Sequence, residues 1–234
     1  VYNRDSGTFD LQKGPIFTNV LLADEVNRAS PKTQAALLEA MQEGQVTLEG
    51  STLQLPEPFI VLATQNPIEY EGTFPLPEAQ LDRFLLKLSI GYPDEEAEAE
   101  ILRRRRERRE DQLHVDAVTE LPEILAMRDL VEEVFVHEDL ERYMVGLVRR
   151  TREHTSISVG ASPRGALALM KVGRALAAMS GRGFLIPDDV KACAVQALRH
   201  RMVLAPELWM RAQAAEDLLA TVLGSVPVPV VDRP

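Results

Sequence analysis

Two adjacent carboxylates, Asp24 and Glu25, directly follow the short apolar run of residues 20–23. A run of this length, bounded by turn-prone residues, is typical of a buried strand in a parallel sheet. Open α/β sheets bind their ligands at the carboxyl ends of such strands. The first carboxylate can hold a hydrated Mg²⁺ on a nucleotide, and the second can polarise an attacking water. The pair therefore predicts nucleotide hydrolysis, and the plainer alternative is the first turn of a helix.

Asn66 lies at the carboxyl end of a second apolar run, residues 59–64. In a parallel sheet this end would lie beside Asp24 and Glu25. A neutral amide there can hold the attacking water or the terminal phosphate without competing for the metal. The alternative is that Asn66 and Pro67 only form a turn.

Two arginines could complete such a site. Arg164 would be the second residue of a helix begun by Ser162-Pro163. A cation at this position interacts unfavourably with the helix dipole, at a cost of ~0.3–1 kcal/mol. An anion bound at the helix N-terminus would explain this placement. Arg83 precedes a third apolar run, and an arginine at a subunit edge can reach a neighbour's phosphate and stabilise transition-state charge. The alternative for Arg83 is an exposed ion pair with Asp82. The alternative for Arg164 is an exposed ion pair with a nearby acid.

The elements that must position these residues divide into an α/β part and a helical part. Residues 1–19 look irregular, a helix begins at Ser30-Pro31 and ends near Gly44, and residues 45–55 alternate as a β-hairpin. Strands over 20–24, 59–64 and 84–90, alternating with helices, predict a parallel sheet with helices on its faces. After a charged helix over 95–110 the pattern is helical throughout, with helices near 122–134, 138–154, 163–179, 187–203 and 206–223.

Composition limits the classes of protein to consider. The chain has 234 residues, of which 45% are apolar and 26% charged, and it contains no apolar run long enough for a membrane span. Its single cysteine, Cys193, excludes an internal disulfide and predicts a reducing cytoplasm. The net charge of −10 argues against a protein that coats nucleic acid. The basic run of residues 103–109 is interpreted as a solvated or interface helix whose arginines pair with acids such as Glu100.

With these residues in place, the chain resembles the MoxR family of AAA+ ATPases over nearly its whole length. Residues 14–29 and 37–43 resemble the Walker B region, 63–67 resemble sensor 1, 76–84 the arginine-finger segment, and 160–164 sensor 2 on the helical lid. Several motifs in order are far more specific than any one of them. The resemblance implies a partial AAA+ α/β core of the P-loop type, with a parallel sheet, in residues 1–113 and an all-α helical lid in residues 114–234.

The resemblance also implies a role for each candidate residue. Asp24 would coordinate Mg²⁺, Glu25 would be the catalytic base, and Asn66 would be sensor 1, in contact with ATP. Arg83 would be the finger offered to an adjacent subunit. Arg164 would be sensor 2, acting on the nucleotide of its own subunit or of a neighbour.

Family members usually form hexamers and remodel protein clients in a chaperone-like way, often beside proteins with a von Willebrand factor A domain. The hairpin at 45–55 resembles one that commonly projects toward a ring's central channel. One departure is plain: no lysine here follows a glycine, as a P-loop requires. The sequence thus predicts an N-terminally truncated member that is inactive by itself. Two alternatives remain, a non-catalytic protein-interaction module and a DNA-engaged AAA+ relative.

Overall fold

The fold is taken from a computed structural model that describes residues 2–3, 8–9, 13–48, 50–66, 72–209, 211 and 213–230. The chain separates into two units, Val1–Phe84 and Leu85–Pro234. The boundary between the two units falls after Phe84, earlier in the chain than the predicted boundary between residues 113 and 114. The reason is that Leu86 packs against the core of the second unit and the Lys87 N–H donates to the Gln196 carbonyl at 2.9 Å. The assignment of residues 1–113 and 114–234 to two functional domains stays a prediction.

The elements of the first unit are, in chain order, β1 (Tyr2–Asn3), β2 (Thr8–Phe9), β3 (Val20–Ala23), a 3₁₀ turn (Val26–Arg28), α1 (Pro31–Glu43), β4 (Gln45–Leu48), β5 (Ser51–Gln54), β6 (Ile60–Ala63) and α2 (Glu78–Leu81). β1 and β2 pair antiparallel, within a stretch whose sequence predicts irregular chain. β4 and β5 form the predicted hairpin.

A parallel pair of strands positions the chemistry of the first unit. β3 and β6 run parallel, with Val20 opposite Ile60 and Ala23 opposite Ala63. The prediction that the first two apolar runs are parallel neighbours is confirmed. Because Ala23 and Ala63 end the two strands in register, the residues that follow them emerge at the same edge of the sheet.

α1 has the ends that its sequence predicts. Ser30 Oγ accepts a hydrogen bond from the Thr33 N–H at 3.3 Å, and Pro31 occupies the first helical turn. At the other end Gly44 takes a left-handed backbone, φ 62°, which glycine adopts without a steric penalty. Leu38 then packs in a small core with Val26 and Leu76. The helix therefore supports the turn that follows β3.

The predicted third strand is wrong. Residues 84–90 form no strand in the structure, because no described strand pairs with them. The Lys87 N–H donates instead to a carbonyl at the end of a helix, and Leu88 and Ile90 are exposed. An apolar run becomes a strand only where a neighbour accepts its backbone hydrogen bonds.

The second unit consists of α3 (Glu95–Arg108), α4 (Leu121–Glu132), α5 (Glu138–Glu153), β7 (Ile157–Val159), α6 (Pro163–Met179), α7 (Pro187–Leu198), a 3₁₀ turn (Arg199–Arg201), β8 (Val203–Leu204), a second 3₁₀ turn (Pro206–Leu208) and α8 (Ala214–Ser225). Its core lies between α5, α6, α7 and α8, with Leu140, Leu147, Leu169, Leu198 and Leu219 almost fully buried. No helix among the described residues is long and apolar enough to cross a lipid bilayer.

The helical part carries one short antiparallel ladder, so the expectation of helix throughout needs a correction. β7 and β8 pair with Ile157 opposite Leu204. The Ala205 N–H also donates to the Ser156 carbonyl at 2.9 Å. α7 ends at Leu198, before the predicted end at residue 203, because a 3₁₀ turn (Arg199–Arg201) follows it and leads into β8, which pairs with β7. Pro206 then begins a separate 3₁₀ turn, where a continuous helix over 206–223 was expected.

Candidate functional site

Asp24 and Thr64 lie side by side where β3 and β6 end. Thr64 Oγ1 donates a hydrogen bond to Asp24 Oδ1 at 2.5 Å. Asp24 is exposed, so a ligand can approach its carboxylate from solvent. Mg²⁺ prefers oxygen ligands and is commonly held by one or two carboxylates together with waters and phosphate oxygens. The donor set at Asp24 therefore fits a magnesium ion carried on a nucleotide.

No group of three or more His, Cys, Asp or Glu side chains suited to hold a metal ion occurs within the described part of the chain. A magnesium–nucleotide site does not need such a group, since phosphates and waters supply most of the ligands. Asp24 is thus the metal candidate that the geometry supports.

Glu25 has a left-handed backbone, with φ 49° and ψ 49°. This conformation costs a residue other than glycine roughly 1–2 kcal/mol, and backbone strain of this kind is concentrated at functional sites. The Glu25 N–H donates to Thr64 Oγ1 at 2.8 Å, and the next N–H, of Val26, donates to the Thr64 carbonyl at 2.9 Å. These two hydrogen bonds stabilise the strained turn directly after β3.

The Glu25 carboxylate contacts two polar neighbours. Asn66 Nδ2 donates to Glu25 Oε1 at 3.4 Å, and Arg28 Nε lies 2.8 Å from Glu25 Oε2. The Glu25 side chain is 36% exposed, so water can reach it. An amide donor beside a solvent-accessible carboxylate is the arrangement that can orient a water and accept its proton. The structure thereby brings Glu25 and Asn66 together, as the parallel-strand argument expects.

The buried side-chain amides of Asn27 and Gln34 donate hydrogen bonds to backbone carbonyls around the site. Asn27 Nδ2 donates to the Asn66 carbonyl at 3.3 Å, and the Asn27 carbonyl accepts from the Phe74 N–H at 2.6 Å. Gln34 Nε2, from α1, donates to the carbonyls of Val26 at 3.1 Å and Phe74 at 2.8 Å. Because a buried polar group without a partner is costly, these contacts fix the turn after β3 against the segment that carries Asn66. Sequence reasoning missed both residues.

Arg83 follows α2 in the first unit and is exposed. Arg83 Nη1 donates a hydrogen bond to Gln42 Oε1 on α1. A neutral amide is a weaker partner for a guanidinium than a carboxylate or phosphate. The contact therefore leaves the full positive charge of Arg83 available to an anion.

Arg164 lies in the second unit, in the first turn of α6, and is exposed. Its N–H donates to Ser162 Oγ at 3.1 Å, so Ser162 caps the helix as the sequence predicts. Two residues at the end of α5 fix the preceding loop. Thr151 Oγ1 accepts from the Ala161 N–H at 3.0 Å, and Arg152 Nε donates to the Ala161 carbonyl at 2.8 Å. The backbone before Arg164 is thus tied to α5.

Comparison with known proteins identifies the family. The model of the ATPase family associated with various cellular activities (AAA) matches residues 1–86, and the AAA lid domain model matches residues 149–222. Chaperone MoxR1 of Mycobacterium tuberculosis is 40% identical over 99% of this chain and 63% of its own length. Protein MoxR of Methylorubrum extorquens is 30% identical over 97% of this chain and 73% of its own length. The chain belongs to the MoxR family of AAA+ ATPases.

Two further matches agree with this assignment. YeaC of Bacillus subtilis, an uncharacterized protein, is 45% identical over 98% of this chain and 72% of its own length. A crystal structure of a candidate ATPase from Cytophaga hutchinsonii superposes with a TM-score of 0.90 at 40% identity, covering 98% of this chain and 72% of that one. The predicted fold, a AAA+ parallel-sheet core followed by a helical lid, is confirmed. The chain spans between 63% and 73% of the length of these relatives and of the structural neighbour.

The basic run of this MoxR-family chain lies on α3, where its arginines pair locally. Arg103 Nε and Arg104 Nε each donate to Glu100 at 2.6 Å, and Arg105 pairs with Asp111. These hydrogen bonds, from Arg104 and then from Arg103, lower the pKa of the Glu100 carboxyl. The predicted pairing at Glu100 is confirmed, and it partly neutralises the charge that would support a DNA-engaged relative.

Gly160, in the loop before Arg164, closely approaches the end of α5. A Cβ added at this position would lie 2.6 Å from the Cα and backbone nitrogen of Arg152. We expect Gly160→Ala to lower the free energy of unfolding of the lid by about 1–3 kcal/mol, because the backbone of α5 cannot move aside as a flexible side chain can. Urea denaturation followed by circular dichroism measures this change.

Gly183→Ala is the matched control, since nothing lies within 4 Å of a Cβ added there. We expect that variant to unfold at nearly the wild-type denaturant concentration. Equal losses in the two variants would contradict the steric explanation.

Proposed function

We propose that this protein is an ATP hydrolase whose turnover drives the remodelling of protein clients. The observation that carries the proposal is the group formed by Asp24, Thr64, Glu25 and Asn66 at the carboxyl ends of two parallel strands. Membership of the MoxR family of AAA+ ATPases supports nucleotide hydrolysis as the activity. The name of the Mycobacterium tuberculosis relative, a chaperone, supports protein clients.

In this proposal Asp24, Glu25 and Asn66 each have a separate chemical role. Asp24 would hold a Mg²⁺ ion carried on ATP, which would supply neutralisation of the negative charge that develops on the phosphates. Glu25 accepts the proton of the attacking water, and Asn66 Nδ2, which now contacts Glu25 Oε1, orients that water or the terminal phosphate. Asn66 and Arg164 are the proposed contacts to ATP.

The two arginines, Arg83 and Arg164, would stabilise the negative charge that develops in the transition state. Arg83 is proposed as the finger that one subunit offers to its neighbour's nucleotide, which requires it to leave Gln42. Arg164 is proposed as sensor 2. Its place in the first turn of α6, capped by Ser162, lies where a helix N-terminus favours an anion.

A homo-hexamer is the proposed assembly, because members of the family usually form hexamers. A finger supplied in trans also needs a head-to-tail interface, which builds a ring where its rotation closes. Proteins with a von Willebrand factor A domain are proposed partners. A reducing cytoplasm is the proposed compartment, supported by the single cysteine, Cys193, which is buried.

Measurement of ATP turnover by the full-length protein tests the proposal, with any residues that precede Val1 included. We expect phosphate release that requires Mg²⁺ and stops when EDTA is added. Hydrolysis that is absent, or indifferent to EDTA, would overturn the assignment in favour of a non-catalytic interaction module. Activity that appears only with duplex DNA would favour the DNA-engaged alternative.

A further inference from the structure

We propose that Thr64 is a positioning residue that sets the geometry of both carboxylates of the site. The inference rests on the proposed function, since it concerns how Asp24 and Glu25 are prepared for metal binding and proton transfer. It begins from the threonine hydroxyl, which contacts both residues at once. Oγ1 lies 2.5 Å from Asp24 Oδ1 and 2.8 Å from the Glu25 nitrogen.

The chemistry of a hydroxyl determines the direction of each bond. Asp24 Oδ1 can only accept, so Thr64 Oγ1 donates its single proton to that oxygen. The Glu25 N–H can only donate, so it uses a lone pair of the same hydroxyl oxygen. The hydroxyl therefore has one orientation, and each of its two hydrogen bonds strengthens the other.

The backbone of Thr64 is fixed by the same two segments. Its N–H donates to the Ala23 carbonyl at 3.0 Å, and its carbonyl accepts from the Val26 N–H at 2.9 Å. Together with the side chain, Thr64 forms four hydrogen bonds to the stretch from Ala23 to Val26. Thr64 is thus held against the Asp24 carboxylate and the backbone of Glu25, and its side chain has little freedom to turn away.

The consequence for Asp24 is a fixed carboxylate. Asp24 is exposed, and an exposed aspartate samples several side-chain rotamers. A hydrogen bond to Oδ1 removes that freedom and leaves Oδ2 as the oxygen for a cation. Partners that orient a ligating carboxylate typically change metal affinity or activity by 10–100-fold when removed.

The consequence for Glu25 is a supported turn. Its left-handed backbone is retained only if the surrounding bonds favour it. The hydroxyl of Thr64 accepts the N–H of this strained residue, so loss of the hydroxyl would allow the Glu25 side chain to leave Asn66. Both the metal ligand and the proposed base therefore depend on one oxygen atom.

Thr64→Val tests the inference in the full-length protein, because valine keeps the shape of threonine and removes the hydroxyl. We expect about 10–100-fold weaker binding of Mn²⁺ to the protein–ADP complex, measured by electron paramagnetic resonance. We also expect a similar increase in the Mg²⁺ concentration that gives half-maximal ATP turnover. Thr64→Ser, which keeps the hydroxyl, should restore both quantities to near wild type.

Thr221→Val is the matched control, because Thr221 lies on α8 and its hydroxyl donates to the Asp217 carbonyl within that helix. It should leave metal binding and turnover unchanged. Thermal unfolding separates positioning from folding, since the Val variant should remain folded at the assay temperature, with a melting temperature only a few degrees below that of the Ser variant. If Thr64→Val does not fold, Thr64→Ala carries the same comparison with Thr64→Ser and the same expected change.

The outcomes separate this inference from the function on which it rests. If the wild-type protein shows Mg²⁺-dependent turnover and Thr64→Val binds Mn²⁺ equally well, the role of Thr64 is wrong and the proposed function stands. Failure of Thr64→Ser to restore metal binding would also overturn the role. If the wild-type protein shows no Mg²⁺-dependent turnover, the proposed function itself fails.

Discussion

Replacement of Arg83 by alanine is expected to lower ATP turnover by about 10³-fold or more, the range measured for arginine fingers. The physical reason is that a guanidinium at the transferred phosphoryl group stabilises charge that develops in the transition state. Arg83 is exposed, and its hydrogen bond in this structure goes to the neutral side chain of Gln42. It can therefore exchange that partner for a phosphate without leaving a buried carboxylate unpaired. Steady-state phosphate release by the full-length protein measures the effect.

Arg149→Ala is a suitable control, because Arg149 is also an exposed arginine and lies on α5. That variant should turn over ATP at the wild-type rate. Arg83→Lys should recover little activity, since a lysine lacks the planar fork that matches phosphate geometry. Nearly normal turnover in Arg83→Ala would show that the finger is another residue.

Replacement of Glu25 by glutamine is expected to lower kcat by about 10²–10⁴-fold, the usual contribution of a general base. Glutamine retains the size and an oxygen that can accept from Asn66 Nδ2, but its amide cannot take a proton from water. The affinity for ATP should change little, because the predicted metal ligand is the neighbouring Asp24. Phosphate release gives kcat, and a fluorescent ATP analogue gives the affinity.

Glu43→Gln makes the same chemical change at an exposed position near the end of α1. We expect this control to turn over ATP normally. A Glu25→Gln protein that hydrolyses ATP at the wild-type rate would contradict the assignment of Glu25 as base. Loss of both turnover and ATP binding would point instead to a role in the fold of the left-handed turn.

The Arg83→Ala and Glu25→Gln variants together test whether the site is shared between subunits. Each variant alone should be inactive. In randomly mixed rings, about a quarter of the interfaces would combine an intact Glu25 from one subunit with an intact Arg83 from the next. Partial recovery of turnover on mixing is therefore expected for a finger that acts in trans. No recovery would favour an arginine that acts on its own subunit's nucleotide.

The sequence predicts the acidic pair and its position because both depend on local rules. An apolar run of strand length places Asp24 and Glu25 at a strand's carboxyl end, and a second such run does the same for Asn66. The structure confirms the two parallel strands and the contact between Glu25 and Asn66. The ends of α1 are equally local, since Ser30 and Gly44 act on the adjacent turn of the helix.

The predicted third strand shows a limit of predicting strands from local sequence patterns. Residues 84–90 have the apolar content of a strand, but strand formation depends on a partner that sequence patterns do not reveal. The structure pairs this segment's Lys87 N–H with the end of α7 instead. The same limit applies to β7 and β8, because their pairing joins residues more than forty positions apart.

The sequence by itself therefore determined the family, the acidic pair at the strand end and the helix caps, because these are encoded by neighbouring residues. Tertiary structure decided the contacts that prepare the pair for chemistry. The register that sets Ala23 opposite Ala63 places the Thr64 hydroxyl between Asp24 and the Glu25 N–H. A hydrogen bond between residues forty positions apart exists only after two strands have paired, so no local pattern could assign it.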